Sequence, residues 1–405
     1  MKRIFTSLFS SFLSVLFLGY ILVVGAAELP QCFENILTSL KTGTLPIAAL
    51  NEQYEQMLDT DKDVSLLQNR GTYINLSGFM ANAMGQPLMN ERVKLKNGHL
   101  ASVSTESIAP AVLEDTARNV IFLSKKQAEI GGQFLFVMCP TQVSKYEDLL
   151  PPGYSYPYND AADQLIALLR NESVACLDLR DSMKDAGMTH DQAFLVTDHH
   201  WTSQTGFWAY GEILQKLAGM NAISAVDPFF IDENNFEYVT YEEAFLGSSG
   251  RRTGRYFAGV DDVTFLKPAF ATNISISVPA RSLDLTGRYE DICYNTDVSL
   301  DYEDPDYFNT NPYGLWGWGD TPITHWRNES APEDKKCLLI GESFGNIPFS
   351  LMSLYFTSCD ELDMRYNTDD FPSYFYDYQP DIVVLEVCVG NTISENTQYP
   401  YFIPK

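Results

Sequence analysis

The chain has 405 residues, a length compatible with one large domain or with two or three smaller ones. Hydrophobic residues make up 45% of it and charged residues 20%, so a sizeable core can form. The formal net charge of −26 would repel a phosphate backbone, which argues against nucleic acid as a partner.

The N-terminus carries an export pattern. Lys2 and Arg3 precede an apolar run of about 21 residues from Ile4 to Val24, followed by Gly25-Ala26-Ala27. The run is long enough to cross a bilayer. Residues 1–27 are therefore interpreted as a signal peptide or an N-terminal membrane anchor. The rest of the protein is expected to be extracytoplasmic, either secreted or anchored by this segment.

Residues 28–110 show no repeat and are interpreted as a segment that packs on the core. Residues 111–219 then alternate between helices and strands. The predicted helices cover 111–131, 160–170 and 203–218, the last with Ser203 as its cap. Continuous apolar runs predict buried strands over 134–139 and 173–179. Such alternation is typical of an α/β fold with a parallel sheet flanked by helices.

Residues 220–335 interrupt this pattern and are rich in Tyr, Asp, Asn, Gly and Pro. Short β-like pieces such as residues 275–278 indicate a long, partly β insertion. The alternation resumes after it, with predicted strands over 336–340 and 381–389 and a helix over 348–357. We therefore expect one α/β domain in two parts, 111–219 and 336–405, on either side of the insertion.

The seven cysteines include no C-x-x-C pair, so zinc-ribbon and redox motifs lack support. Their odd number argues against a full disulfide framework and leaves room for one bridge. No cofactor is expected.

Two segments carry the candidate chemistry. Asp198, His199 and His200 lie in the stretch T-D-H-H-W-T, and Ser343 lies in the turn G-E-S-F-G after a predicted buried strand. Ligands of open α/β sheets bind at the carboxyl ends of strands. A serine nucleophile needs an imidazole as its base and a carboxylate to orient that imidazole. Asp198 and His200 are two residues apart and can face one side, so we predict a Ser343–His200–Asp198 triad in which His199 packs or forms a hydrogen bond.

These motifs resemble the DHHW proteins and the alginate O-acetylation proteins AlgJ and AlgX, which are extracytoplasmic members of the SGNH-hydrolase superfamily. Similarity extends through F-L-G-S-S-G-R-R-T-G (245–254), D-E-L-D-M-R-Y-N (360–367) and P-D-I-V-V-L-E-V (380–387). The resemblance implies an SGNH-like fold and makes Asp198 the orienting acid, His200 the base and Ser343 the nucleophile. It also implies O-acetyl transfer to a polysaccharide acceptor, with a membrane-bound O-acyltransferase as acetyl donor.

Other functional residues are less specified by the sequence. Glu342 stands where the alginate proteins have Asp, and Asn328 and Asn391 are candidate oxyanion donors. Arg252, within Arg251-Arg252-Thr253-Gly254-Arg255, could bind an anionic sugar or form surface ion pairs. The aromatic stretch 313–318 could stack on sugar rings or pack the insertion.

Two alternatives remain open at this point. Asp198, His199 and His200 are possible zinc ligands, but the further aspartate motifs of DHH phosphoesterases are absent from the sequence, so no metal is expected. The protein could also be a non-catalytic carbohydrate-binding or assembly protein on a degenerate SGNH scaffold.

Overall fold

A computed structural model describes residues 70–104, 107–295, 301, 303, 305–363, 365–366 and 371–388. The chain divides into two compact units, Met1–Leu76 and Ser77–Lys405. Apart from the beginning of helix α1, every element below lies in the second unit. Within the described part of the chain, no helix combines the length and apolar character that a membrane span requires. The predicted export segment, 1–27, lies outside the described residues.

The helices are α1 (Arg70–Ala83), α2 (Pro110–Glu129), α3 (Tyr158–Asn171), α4 (Leu179–Asp185), α5 (His190–Ala193), α6 (Ser203–Gly219), α7 (Ser248–Thr253), α8 (Arg255–Ala258), α9 (Tyr289–Ile292), α10 (Asn346–Met352) and α11 (Phe371–Tyr378). Short 3₁₀ turns cover Pro228–Ile231, Glu233–Asn235, Pro279–Arg281, Pro312–Leu315 and Ser343–Gly345.

The strands are β1 (Leu88–Met89), β2 (Arg92–Lys94), β3 (Leu100–Ser102), β4 (Gln133–Cys139), β5 (Cys176–Asp178), β6 (Phe236–Phe245), β7 (Asp261–Pro268), β8 (Ile274–Val278), β9 (Leu283–Gly287), β10 (Ile323–Arg327), β11 (Glu333–Gly341), β12 (Phe356–Asp363) and β13 (Ile382–Cys388).

The main sheet has eight strands in the order β5-β4-β13-β11-β12-β10-β8-β9. The first five are parallel, and β10, β8 and β9 extend the sheet in antiparallel pairing. Every residue of β13 is buried, as expected for a central parallel strand covered on both faces. The predicted α/β class, a mostly parallel sheet flanked by helices, is confirmed.

Helices cover both faces of the sheet with separate apolar cores. One core joins α2, α3 and α11 to side chains such as Phe136, Leu338 and Leu385. The other joins α4, α6 and α10 to Val137, Leu339 and insertion residues. The predicted insertion therefore contributes strands to the sheet edge and apolar side chains to the second core.

Several predicted boundaries differ from the structure. The strand predicted over 173–179 is limited to Cys176–Asp178, and Thr202, rather than Ser203, caps α6 by accepting a hydrogen bond from the Thr205 backbone N–H. The helix predicted over 348–357 runs from Asn346 to Met352, and β12 begins at Phe356. The six described cysteines are free thiols, so no bridge forms among them; Cys32 lies outside the described residues.

Candidate active site

Ser343 follows the carboxyl end of β11, on the turn that leads into α10. The strand ends at Gly341, and Ser343 begins the 3₁₀ turn Ser343–Gly345. The turn passes close to other atoms, because a Cβ at Gly341 would lie 2.6 Å from Glu386 Oε2 and 2.8 Å from a ring carbon of Phe349. A larger residue at this position would have to displace the side chains of Glu386 and Phe349, which favours glycine. The hydroxyl lies beyond the carboxyl ends of the parallel strands, where ligands of α/β folds bind.

Asp198 and His200 lie on a tight loop between α5 and α6. A bridge between Phe194 and Trp201 closes the loop, and the Leu195 N–H donates to the His200 carbonyl at 3.1 Å. Asp261 on β7 fixes its centre by accepting the backbone N–H groups of Val196 and Thr197 at 2.6 and 2.8 Å. The loop is therefore held from both ends and from a neighbouring strand.

A continuous chain of hydrogen bonds joins the three predicted triad residues. The distance from Asp198 Oδ1 to His200 Nδ1 is 2.5 Å, and that from His200 Nε2 to Ser343 Oγ is 2.7 Å. Because the carboxylate accepts the Nδ1–H proton, Nε2 is left as the acceptor that faces the serine hydroxyl. All three side chains are buried. This arrangement can withdraw the proton from Ser343 and make its oxygen nucleophilic.

The Asp198 carboxylate is held in its ionised form. Burial would raise its pKa, but the adjacent His199 and His200 and the hydrogen bonds it accepts outweigh burial, and the pKa lies well below the usual range. Its Oδ1 also accepts the His200 backbone N–H at 3.1 Å, and its Oδ2 accepts the Ser248 backbone N–H at 2.6 Å. Both carboxylate oxygens therefore accept hydrogen bonds, and these bonds hold the carboxylate facing the imidazole.

Aromatic rings enclose the His200 imidazole. The Tyr313 ring stacks on it with centroids 3.9 Å apart and an angle of 11° between the planes. Phe344 lies 5.0 Å away, and the His199 ring is tilted against it at 3.8 Å. These contacts restrict rotation of the imidazole about its side-chain bonds. The aromatic stretch 313–318 thus packs the insertion, since Trp316 and Trp318 are fully buried, and also brings Tyr313 onto His200.

His199 has a different environment from His200. Its Nδ1 lies 3.0 Å from Ser248 Oγ, and burial, together with the charge of His200, lowers its pKa to about 3. The ring is therefore neutral at physiological pH. The histidine pair in the motif thus divides into one ring bonded to Ser343 and one that packs and bonds to α7.

Charged groups surround the turn that carries Ser343. Glu342 is buried, with a carboxylate oxygen 3.7 Å from the Arg365 guanidinium, which also bonds Asp363 at 2.6 Å. On the opposite side, Arg92 donates to Ser249 Oγ at 3.1 Å. The charges of both arginines lower the pKa of His199. The two cations partly balance the carboxylates around the triad.

Among the described residues, Asn328 is not grouped with the triad. Asn328 donates its amide to the Ser353 carbonyl at 2.9 Å, and its backbone N–H pairs with Thr357 at the start of β12. Since β11 and β12 are parallel and Gly341 pairs with Asp363, this is the opposite end of the strands from Ser343, six residues or about 20 Å away at 3.3 Å per residue. The prediction that Asn328 stabilises an oxyanion is therefore wrong.

Of the other two candidates, the structure describes Arg252 but not Asn391. Arg252 lies one turn beyond Ser248 on α7, with its guanidinium 3.9 Å from the Glu91 carboxylate and its carbonyl accepting from the Asn90 amide at 2.7 Å. Arg252 is half-buried, and its role in binding an anionic sugar stays a prediction. Asn391 lies outside the described residues, and its role stays a prediction.

Sequence reasoning did not identify the residues that hold the triad from other elements. Ser248, Asp261 and Tyr313 come from the insertion, and Arg92 comes from β2. They are isolated in sequence from both motifs, and their types are common in loops. Two of them had a signal: Ser248 lies within the stretch 245–254, and Tyr313 is the first residue of the aromatic stretch.

The alternative of a metal site can be compared with this geometry. Asp198, His199 and His200 offer three ligand atoms within 4.8 Å of one another. However, both nitrogens of His200 are engaged, one by Asp198 and one by Ser343. A cation that binds His200 would have to displace one of these two hydrogen bonds, so the contacts favour serine chemistry over metal binding.

Comparison with known proteins agrees with this fold. Residues 101–228 match the family model of the SGNH hydrolase-like domain of the acetyltransferase AlgX. The predicted resemblance is confirmed. No curated protein sequence matches the chain.

Two solved structures share the fold over most of their length. One is Bacillus cereus PatB1 with a sulfonyl adduct, at 16% identity and a TM-score of 0.60, covering 75% of this chain and 97% of that chain. The other is a DHHW family protein from Eubacterium siraeum, at 19% identity and a TM-score of 0.53, covering 76% of this chain and 94% of that chain. At these identities, the likeness establishes the fold alone.

Proposed function

We propose that the protein is an extracytoplasmic serine O-acetyltransferase or acetylesterase that acts on a cell-surface or exported polysaccharide. The hydrogen-bonded chain from Asp198 through His200 to Ser343 is the observation that carries this proposal. The match to an acetyltransferase domain supports the acetyl group as the one transferred. The export pattern in residues 1–27 supports the location.

In the first half of the reaction, Ser343 Oγ attacks the carbonyl carbon of an acetyl ester. Its proton passes to His200 Nε2, and Asp198 stabilises the imidazolium that forms. The tetrahedral intermediate then collapses, the bond to the alcohol of the ester breaks, and His200 returns the proton to that leaving oxygen. The product is an acetyl ester of Ser343.

The negative oxygen of the intermediate needs hydrogen-bond donors. The backbone N–H of Ser343 is one candidate, and the side chain of Asn346 is a second. Residues three positions apart lie on one face of a 3₁₀ turn, which places Asn346 beside Ser343. Asn346 is buried, and its Nδ2 has no hydrogen-bond partner among the described residues. An unpaired buried amide next to the nucleophile is suited to an oxyanion. Asn391 stays a further candidate.

In the second half, an acceptor hydroxyl attacks the acetyl-enzyme while His200 takes its proton. The bond between the acetyl carbon and Ser343 Oγ then breaks, and His200 returns the proton to Ser343 Oγ. A sugar hydroxyl makes the protein a transferase, and water makes it an esterase; the triad performs the same steps in both cases. A membrane-bound O-acyltransferase is the proposed acetyl donor of the transferase, and an N-terminal anchor would keep the enzyme near it.

Hydrolysis of p-nitrophenyl acetate by the purified protein tests the proposed activity. We expect Ser343→Ala and His200→Ala to lower kcat/KM by on the order of 10³-fold or more. His325→Ala is a matched control, because His325 also lies beside a buried aspartate, 3.0 Å from Asp360, but on β10. This variant should retain activity. Wild-type protein no faster than Ser343→Ala would overturn the proposal and favour the non-catalytic scaffold.

A further inference from the structure

A cavity of about 350 Å³ lies beside the candidate active site, with Trp201 and Tyr313 among its lining residues. Its size falls within the range of about 300–1,000 Å³ that is usual for small-molecule sites. Residues of the loop, of β7 and of the Pro312–Leu315 turn line it, and neither His200 nor Ser343 does. The cavity is therefore distinct from the position of the nucleophile.

The inner walls of the cavity are aromatic. Phe194, Trp201, Tyr313 and Trp316 all contribute to the lining. Thr202, Ser203 and Gln204 add polar groups to the lining. Flat apolar faces next to polar groups suit the two sides of a sugar ring.

The charge of the cavity is acidic. Asp261 and Asp262 line it, and no Lys or Arg is among its lining residues. The exposed polar side chains at the cavity are the carboxylate of Asp262 and the amides of Gln192 and Gln204. An anionic ligand would meet carboxylates with no counter-ion, whereas a neutral or positively charged ligand would not be repelled. The acidic lining therefore disfavours the binding of uronic acids, which carry a negative charge.

The cavity shares a wall with the triad. The ring of Tyr313 that lines it is the ring that stacks on the His200 imidazole at 3.9 Å. A sugar in the cavity would thus contact the residue that positions the base, and the adjoining sugars of the same polysaccharide would lie near the triad.

We infer that this cavity binds one ring of a neutral or amino sugar of the acceptor polysaccharide, and that it rejects uronic acids. The inference rests on the proposed function for the identity of the chain that is acetylated. It specifies the class of acceptor, which the triad alone does not.

Calorimetric titration of the full-length Ser343→Ala protein, which cannot form an acyl-enzyme, tests the inference with three tetrasaccharides. These probes are oligomers of N-acetylglucosamine, of glucosamine and of galacturonic acid. We expect the neutral or the cationic oligomer to bind at least about tenfold more tightly than the anionic one, a difference of about 1.4 kcal/mol. Equal or tighter binding of the galacturonate oligomer, or binding of none of the three, would overturn it.

A charge variant provides the second test. Gln204 is exposed at the cavity on α6, so Gln204→Lys should fold and should shift selectivity toward the galacturonate oligomer by about fivefold or more. Gln215→Lys is the matched control, because Gln215 is exposed on the same helix outside the cavity, and it should leave selectivity unchanged. The same change in both variants would show that the net charge, and not the cavity, determines binding.

The two proposals fail separately. Ser343-dependent hydrolysis of p-nitrophenyl acetate without sugar binding would overturn the cavity assignment and leave the proposed activity standing. Selective sugar binding without hydrolysis would do the reverse.

Discussion

Replacing Glu386 by Gln should change the pH dependence of stability. Glu386 lies on β13 beneath the nucleophile turn, where the Cys139 thiol donates to its Oε1 at 2.6 Å. Burial, together with repulsion from Glu342, raises its pKa to about 8. The group is therefore protonated at neutral pH in the folded protein. Glutamine has the same shape and cannot ionise, so it mimics this protonated acid.

The direction and size of the change in folding stability with pH follow from proton linkage. In the unfolded chain, the carboxyl ionises near its ordinary pKa of 4.5, while in the folded protein it keeps its proton up to a pH of about 8. Between these values the folded state binds more protons, so wild-type stability falls as pH rises. Each pH unit costs about 1.4 kcal/mol, or about 3 kcal/mol between pH 5 and pH 7. Glu386→Gln has no ionisable group at this position, so it does not lose this stability as the pH rises.

Urea unfolding at several pH values measures the effect. The free energy of unfolding of Glu386→Gln relative to wild type should rise by about 3 kcal/mol between pH 5 and pH 7. Glu361, whose pKa burial also raises to about 8, contributes equally to both proteins and cancels in the difference. Glu361→Gln is accordingly a positive control for the same slope. A difference that stays constant with pH would refute the reasoning, because it would mean that Glu386 is already ionised in the folded protein.

Three further substitutions test the geometry around the triad. Asp198→Asn should keep the fold but present the wrong imidazole tautomer, lowering kcat for p-nitrophenyl acetate on the order of 10³–10⁴-fold; an unchanged kcat would remove Asp198 from the mechanism. Asn346→Ala should lower kcat by on the order of 10²-fold with little change in KM, whereas a change in KM alone would exclude an oxyanion role. Gly247→Ala should lower the melting temperature and kcat together, because its Cβ would lie within 2.6 Å of Asp198 Cα; calorimetry and kinetics that show neither loss would contradict the close packing.

The proximity of the three residues of the proposed triad could be predicted because they lie in two short segments. Asp198 and His200 are two residues apart, and Ser343 follows a continuous apolar strand, so local pattern and catalytic logic were sufficient to choose them. His199 could be set aside for the same reason. The rest of the fold around the triad depends on contacts over long sequence distances. Asp261 reaches the loop from 64 residues beyond Thr197, and its interactions are hydrogen bonds that leave no periodic pattern.

The predictions that differ from the structure also depend on contacts between residues far apart in the sequence. The segment that forms β12 contains Asp360, Glu361 and Asp363, which disguise a buried strand. Asp360 is tolerated there because Arg327 and His325 lie 2.7 and 3.0 Å from it, and both partners come from the neighbouring strand β10. Asn328 was chosen by position upstream of the nucleophile strand, and its location at the opposite end of the sheet follows only from strand pairing.

The central claim is that Ser343 carries the acetyl group during turnover. Rapid acid quenching of the wild-type protein after mixing with p-nitrophenyl acetate, followed by peptide mass spectrometry, tests it directly. The account predicts one added acetyl group on the peptide that contains Ser343, and none on the equivalent peptide of Ser343→Ala. Continued turnover with no acetyl group on Ser343, or the same turnover in Ser343→Ala, would contradict it.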